Sequence, residues 1–224
     1  AEKIVAQLSS QGKTSVVARL GNGIAGIIGL MDDIKPDSAT ALNEIETLNI
    51  VPVMLTGDHE NAAIFVANQV GIKKIFGNML PENKAEKIKN LLQQYGKVAM
   101  VGDGINDAPA LAQSTVGIAM GAAGSDTAIE TANIALMNDK LSLIPFLTRL
   151  SRKTLLRIKF NTIGAIGVKV LFIILAFTGY SNLVFAIAAD VGVTLIVILT
   201  SLNLMNFENA HKPDSVLLSR QHKK

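Results

Sequence analysis

Apolar residues recur along the chain in two ways, and the change falls near residue 140. Before that point, short apolar runs at 15–20, 25–31, 51–56, 97–101, 116–120 and 134–137 read as strands. Helical patterns lie between several of them. The first runs from Pro36 to about Leu48, with proline in its first turn. The second follows Asp58 and ends near Gly71, a residue suited to close a helix. The third opens at Pro81 and ends before Gly96. Strands alternating with helices of this length predict an α/β domain with a parallel sheet covered on both faces. Ala1 itself falls inside a helical pattern, which reads as a piece of a longer protein.

From Asp139, as an N-cap, a helical pattern runs towards Lys159 and gathers Arg149, Arg152, Lys153, Arg157 and Lys159 near its end. Two long apolar segments follow, at about 160–178 and 183–205. Each is long enough to cross a hydrocarbon core of about 30 Å at about 1.5 Å per residue. The link Gly179-Tyr180-Ser181-Asn182 is short and uncharged, and Lys212, Arg220, Lys223 and Lys224 follow the second segment. Positive charge on both flanks places both chain ends in the cytoplasm and the link outside. The alternative is a pair of buried helices in a soluble protein, against which segment length and flanking charge argue.

Composition narrows the field. The 224 residues carry a net charge of +3, too little to imply nucleic acid, and the basic residues collect beside the apolar segments. There is no cysteine, so neither disulfides nor thiolate metal sites can form within the chain. No secretory signal pattern is present.

Chemistry concentrates in Val101-Gly102-Asp103-Gly104-Ile105-Asn106-Asp107, which follows a predicted strand. Acidic residues at a strand's carboxyl end, with glycines that let the backbone turn, suit Mg²⁺ beside a phosphate. Leu55-Thr56-Gly57-Asp58 ends another strand and starts a helix, where a hydroxyl and free N–H groups suit a phosphate oxygen. Lys84 follows Leu80-Pro81-Glu82-Asn83 near a helix start and can neutralise phosphate charge. Asp32 ends a further strand. Singly, these residues are ordinary caps, turns and solvated side chains; together they fall at strand ends.

These motifs, continued by Ala108-Pro109-Ala110-Leu111, Gly117-Ile118-Ala119-Met120-Gly121 and Gly124-Ser125-Asp126, resemble the P-type ATPases from about residue 23 to 205. The resemblance implies a haloacid-dehalogenase-like Rossmannoid parallel sheet followed by a two-helix transmembrane hairpin. It implies that Asp103 and Asp107 hold Mg²⁺, that Asn106 helps hold the phosphoryl group, and that Thr56 hydrogen-bonds it. Gly57 would let the loop approach the phosphate, Asp58 would shape that loop, and Lys84 would stabilise the transferring charge. Asp32 and Lys35 occupy the family's acid-x-x-base position near a hinge. The implied layout is a nucleotide-domain tail (1–22), the later part of the phosphorylation domain (23–145), a membrane domain (146–206) and a basic cytoplasmic tail (207–224).

Two ionisable residues, Lys169 and Asp190, lie inside the apolar segments. A charge at the bilayer centre costs roughly 2.5 kcal/mol or more, so such residues persist mostly when paired or functional. Lys169 lies roughly 14 Å from one side and Asp190 roughly 10 Å from the other, so a hairpin across about 30 Å sets them about 6 Å apart in depth. A structural ion pair satisfies this geometry as well as a functional one. Asn161, Lys169 and Asp190-Val191-Gly192 resemble the zinc, cadmium and lead branch of heavy-metal P-type ATPases. There the aspartate is a transport-metal ligand and the lysine a built-in counter-charge. One carboxylate suits Zn²⁺ but is not a complete site, so further ligands must come from outside this chain.

The resemblance implies an integral protein of a bacterial plasma membrane, its α/β domain cytoplasmic. It would export Zn²⁺, Cd²⁺ or Pb²⁺ with ATP and Mg²⁺ and depend on the missing N-terminal domains of the same pump. The family's Asp-Lys-Thr-Gly-Thr nucleophile motif does not occur here; Asp139-Lys140 is followed by Leu141. Two other readings are a membrane-anchored phosphatase, which would need an Asp-x-Asp motif, and a truncated non-catalytic protein that regulates or assembles with a full pump.

Overall fold

The computed structural model describes residues 2–30, 33–103, 106–121, 126–179 and 183–211. The chain forms two compact units, divided between Leu143 and Ile144.

The first unit opens with helix α1 (Glu2–Ser10) and strands β1 (Thr14–Leu20) and β2 (Gly23–Leu30). These strands are antiparallel, with Leu20 opposite Gly23. The parallel pairing expected of alternating strands and helices does not extend to these two strands. The connection is only Gly21-Asn22, whereas a parallel crossover needs a dozen residues or more. Gly21 has φ 59°, the left-handed value that tight hairpin loops favour.

The parallel part follows. Helix α2 (Ser38–Thr47) leads to β3 (Val53–Leu55), α3 (Glu60–Val70) and β4 (Lys74–Phe76). Helix α4 (Pro81–Tyr95) precedes β5 (Ala99–Gly102), α5 (Ala108–Gln113), β6 (Val116–Met120), α6 (Asp126–Thr131) and β7 (Ile134–Leu136). Strand β3 pairs with β4, and β5, β6 and β7 pair in that order, all parallel. Among the described residues no ladder joins β3 to β5, so the predicted single sheet is two. Both strands nevertheless feed one core, in which Ile88, Leu91, Met100, Ala110 and Leu111 are buried and Val53 and Leu55 pack against them.

Helix ends follow local chemistry. Pro81 sits in the first turn of α4, and Gly71 closes α3 at φ 82°. Helix α2 starts two residues after Pro36. Asp37 does not cap it; its carboxylate accepts the Ser142 N–H at 3.0 Å. Asp139 is not an N-cap either. Its carboxylate pairs with Lys35 at 2.5 Å, and the next helix starts at Leu143.

The second unit is built on α7 (Leu143–Phe177) and α8 (Leu183–His211). The basic stretch and the first apolar segment, expected as separate pieces, are one continuous helix of 35 residues. Both helices are long and apolar enough to cross a membrane.

Gly117 shows how tightly the first unit is packed. A Cβ there would lie 2.8 Å from the Leu111 carbonyl oxygen. Asn133 brackets the same residue: its Oδ1 accepts the Gly117 N–H at 2.8 Å and its own N–H donates to Gly117 O at 2.9 Å. Gly117→Ala is therefore expected to destabilise this unit by about 1–3 kcal/mol. Chemical denaturation checks this, and an unchanged midpoint would contradict the packing described.

Candidate phosphoryl-transfer and membrane sites

Two loops at the ends of β3 and β4 are laced together. The Thr56 N–H donates to Phe76 O at 3.0 Å, extending the β3–β4 ladder by one residue. The Asn78 N–H then donates to Asp58 O at 2.8 Å and the Met79 N–H to Thr56 O at 3.0 Å. Asn78 adopts φ 52° to make this turn. Within the first loop, the Thr56 hydroxyl donates to Asp58 Oδ2 at 2.9 Å and accepts the Asp58 N–H at 3.1 Å. The Thr56 hydroxyl thus stands just before the N-terminus of α3, whose N-cap position is His59. Hydroxyl and free N–H groups in that place suit an anion.

The second loop passes through Leu80 into α4 and so places Lys84 in that helix's first turns. The Lys84 ammonium donates to Asp107 Oδ1 at 2.7 Å. Only 13% and 15% of the two side chains are exposed, so each charge depends on the other. Asp107 occupies the N-cap position of α5, yet its side chain makes no capping bond. Gly102 makes the room: a Cβ there would lie 2.6 Å from Asp107 Oδ2. The turn after β5 thus works as an acid-holding cradle because its last strand residue has no side chain.

Asp103 directly follows β5 and is exposed, as is Asn106. Two carboxylates from one loop are a fitting but partial donor set for Mg²⁺. That ion keeps several waters and takes phosphate oxygens alongside one or two carboxylates. Among the described residues, no group of three or more His, Cys, Asp or Glu could hold a metal alone. The structure brings Thr56 to Asp58 and Lys84 to Asp107. Asp32, Gly104, Ile105, Gly124 and Ser125 lie outside the described residues. A cleft of about 400 Å³ lined by Glu2, Val17, Ile24, His59 and Asn61 holds none of these site residues.

In the second unit, Lys169 Nζ meets Asp190 Oδ1 at 3.2 Å, joining α7 to α8. The pair edges a cleft of about 330 Å³ whose other walls include Phe172, Ala176, Ala186 and Ala189. Sequence reasoning did not anticipate the polar contacts of Asn161. Its Oδ1 accepts the Thr200 hydroxyl at 3.2 Å and its amide nitrogen donates to Ser201 Oγ at 3.4 Å. Neighbouring hydroxyl residues in an apolar helix were the signal for them.

Residues 1–115 match the haloacid dehalogenase-like hydrolases, and the chain belongs to that family. Its relatives are more particular. It is 46% identical over 93% of its length to a cadmium-transporting ATPase of Staphylococcus aureus. It is 41% identical over 87% of its length to a zinc-transporting ATPase of Bacillus subtilis. The chain spans 29% and 30% of those proteins. The crystal structure of a zinc-transporting PIB-type ATPase in its E2.Pi state superposes with a TM-score of 0.79 at 37% identity, covering 91% of this chain and 33% of that one. The P-type ATPase resemblance read from the motifs is borne out.

Breaking the Lys84–Asp107 pair tests the cradle. Lys84→Met should destabilise the α/β unit by more than the ~1 kcal/mol of an exposed pair and up to the ~3–5 kcal/mol of a buried one. Adding Asp107→Asn should recover part of the loss. Denaturation of the single and double variants reads the coupling; additive losses would contradict it.

Proposed function

We propose that this chain is the C-terminal part of an ATP-driven exporter that moves Zn²⁺, Cd²⁺ or Pb²⁺ out of the cytoplasm through a phospho-aspartate. The observation that carries this reading is the Lys169–Asp190 pair, at 3.2 Å, in two apolar helices long enough to cross a membrane. Asp190 offers the metal a carboxylate, and Lys169 waits beside it as a counter-charge. When the ion leaves, the ammonium replaces it on the same carboxylate, so Asp190 is not left uncompensated among apolar side chains. The other metal ligands come from upstream parts of the pump, since Zn²⁺ takes about four.

In the α/β unit, the Thr56 hydroxyl holds a phosphoryl oxygen, with Gly57 and Asp58 forming its loop. Lys84 neutralises charge on the transferring group, and Asn106 helps to hold it. Asp103 and Asp107 would hold Mg²⁺, which supplies charge neutralisation at the phosphoryl oxygens. Positioning and charge neutralisation carry most of the catalysis in such transfers. The nucleophilic aspartate lies outside this chain. Among the described residues, β3 and β5 each pair on one edge alone while sharing one core, which favours an upstream strand between them as its carrier. The β1–β2 hairpin runs across residues 22 and 23, so we take the nucleotide-domain tail to extend through Leu30. The α/β unit is cytoplasmic.

In the complete pump, Asp190→Ala is expected to abolish zinc-stimulated ATP hydrolysis while phosphorylation by inorganic phosphate persists. Full zinc stimulation in that variant would overturn the ligand role. The 224-residue chain alone should turn over no ATP, because it contains no Asp-Lys-Thr sequence. Turnover by the purified chain would contradict the placement of the nucleophile elsewhere.

A further inference from the structure

We infer that Asn161, with Thr200 and Ser201, is a positioning residue that fixes the register of α7 against α8 and so sets Asp190 opposite Lys169. This deepens, and rests on, the metal role proposed for Asp190. The two helices meet through polar groups at two levels. At one, Lys169 reaches Asp190. At the other, the Asn161 side-chain amide spans two successive hydroxyl residues of α8, at 3.2 Å to Thr200 and 3.4 Å to Ser201.

The spacing of the levels agrees on both helices. Lys169 is eight residues from Asn161 on α7, and Thr200 is ten from Asp190 on α8. At about 1.5 Å per residue these are about 12 and 15 Å, a mismatch a lysine side chain can absorb.

The ion pair alone does not define this register. A lysine arm with four rotatable methylenes reaches a carboxylate from several offsets. Close backbone packing does not define it either: a Cβ on Gly164, Gly167 or Gly192 would meet nothing within 4 Å. A short, planar amide held on two adjacent positions has no such latitude. Its partners are themselves anchored, since both hydroxyls also donate to Val197 O, at 3.0 Å from Thr200 and 2.7 Å from Ser201. Thr200 therefore shares one proton between Val197 O and Asn161 Oδ1, while Ser201 donates to Val197 O and accepts from Asn161. A one-residue screw shift of α8 turns it by about 100°, which puts Leu199 or Leu202 in place of one hydroxyl and swings Asp190 away from Lys169.

The cysteine-free sequence permits a direct test on the chain itself in lipid bilayers. Cysteines replacing Ile174 and Ile187, exposed on α7 and α8, carry spin labels whose separation is measured. One narrow distance is expected with Asn161 and Thr200 intact. Thr200→Val, which keeps shape but loses the hydroxyl, and Asn161→Leu should each broaden or shift it, whereas Thr200→Ser should restore it. A broad distance in the parent chain, or an unchanged one in both Thr200→Val and Asn161→Leu, overturns the inference. In the complete pump, Thr200→Val should raise the half-saturating zinc concentration about tenfold or more, and Thr200→Ser should not. Phosphorylation by inorganic phosphate should be the same in all variants. Native zinc saturation in Thr200→Val overturns the link to the metal site. The label distance is read without metal, so zinc stimulation surviving Asp190→Ala would remove the ligand role and leave the register result standing.

Discussion

A charge withdrawn from water has to be met by an opposite charge, and the Lys84–Asp107 pair is where the α/β unit answers that constraint. The ammonium and the carboxylate are 2.7 Å apart and mostly buried. Three features converge on them. Pro81 starts α4 at the residue that brings Lys84 into its first turns. Asp107 gives up capping α5 to face the lysine. Gly102 has no side chain to block that carboxylate. Each is a small local cost, met by a pair whose partners would otherwise be stranded. For the proposed phosphoryl transfer the same arrangement would be a reserve of charge. In the transfer proposed above, Lys84 would meet a phosphoryl oxygen and Asp107 would help to hold Mg²⁺.

The second unit answers the same constraint on a different scale. Lys169 and Asp190 lie in the apolar stretches of α7 and α8, and they find each other at 3.2 Å. Their side chains are 64% and 56% exposed, so the pair is open to further partners. Further along the same helices, Asn161 of α7 meets Thr200 and Ser201 of α8 through hydrogen bonds.

Much of this was legible in the sequence because periodicity, prolines and glycines act locally. Helix α4 from Pro81 to the residue before Gly96, α3 ending at Gly71 and β6 at 116–120 all match their patterns. What escaped depends on distance in the chain. Strand β4 is three residues long and begins on the second lysine of Lys73-Lys74, too short to register as an apolar run. The antiparallel turn at Gly21-Asn22 was readable from loop length, but the general α/β alternation obscured it. Asp139 looked like a helix cap, and it is instead engaged by Lys35, a group remote in sequence, just as Asp37 is engaged by Ser142. The site residues stood out as a set of motifs. That Lys84 would close on Asp107, among the carboxylates near it, was fixed by packing between α4 and α5 rather than by spacing.

The central claim is that Asp190 handles a metal ion which ATP hydrolysis moves outward. ATP-driven uptake of zinc or cadmium into inside-out membrane vesicles carrying the complete pump tests it most directly. The account predicts uptake that requires ATP and Mg²⁺ and is lost in Asp190→Ala. Uptake by Asp190→Ala vesicles at the native rate would contradict it.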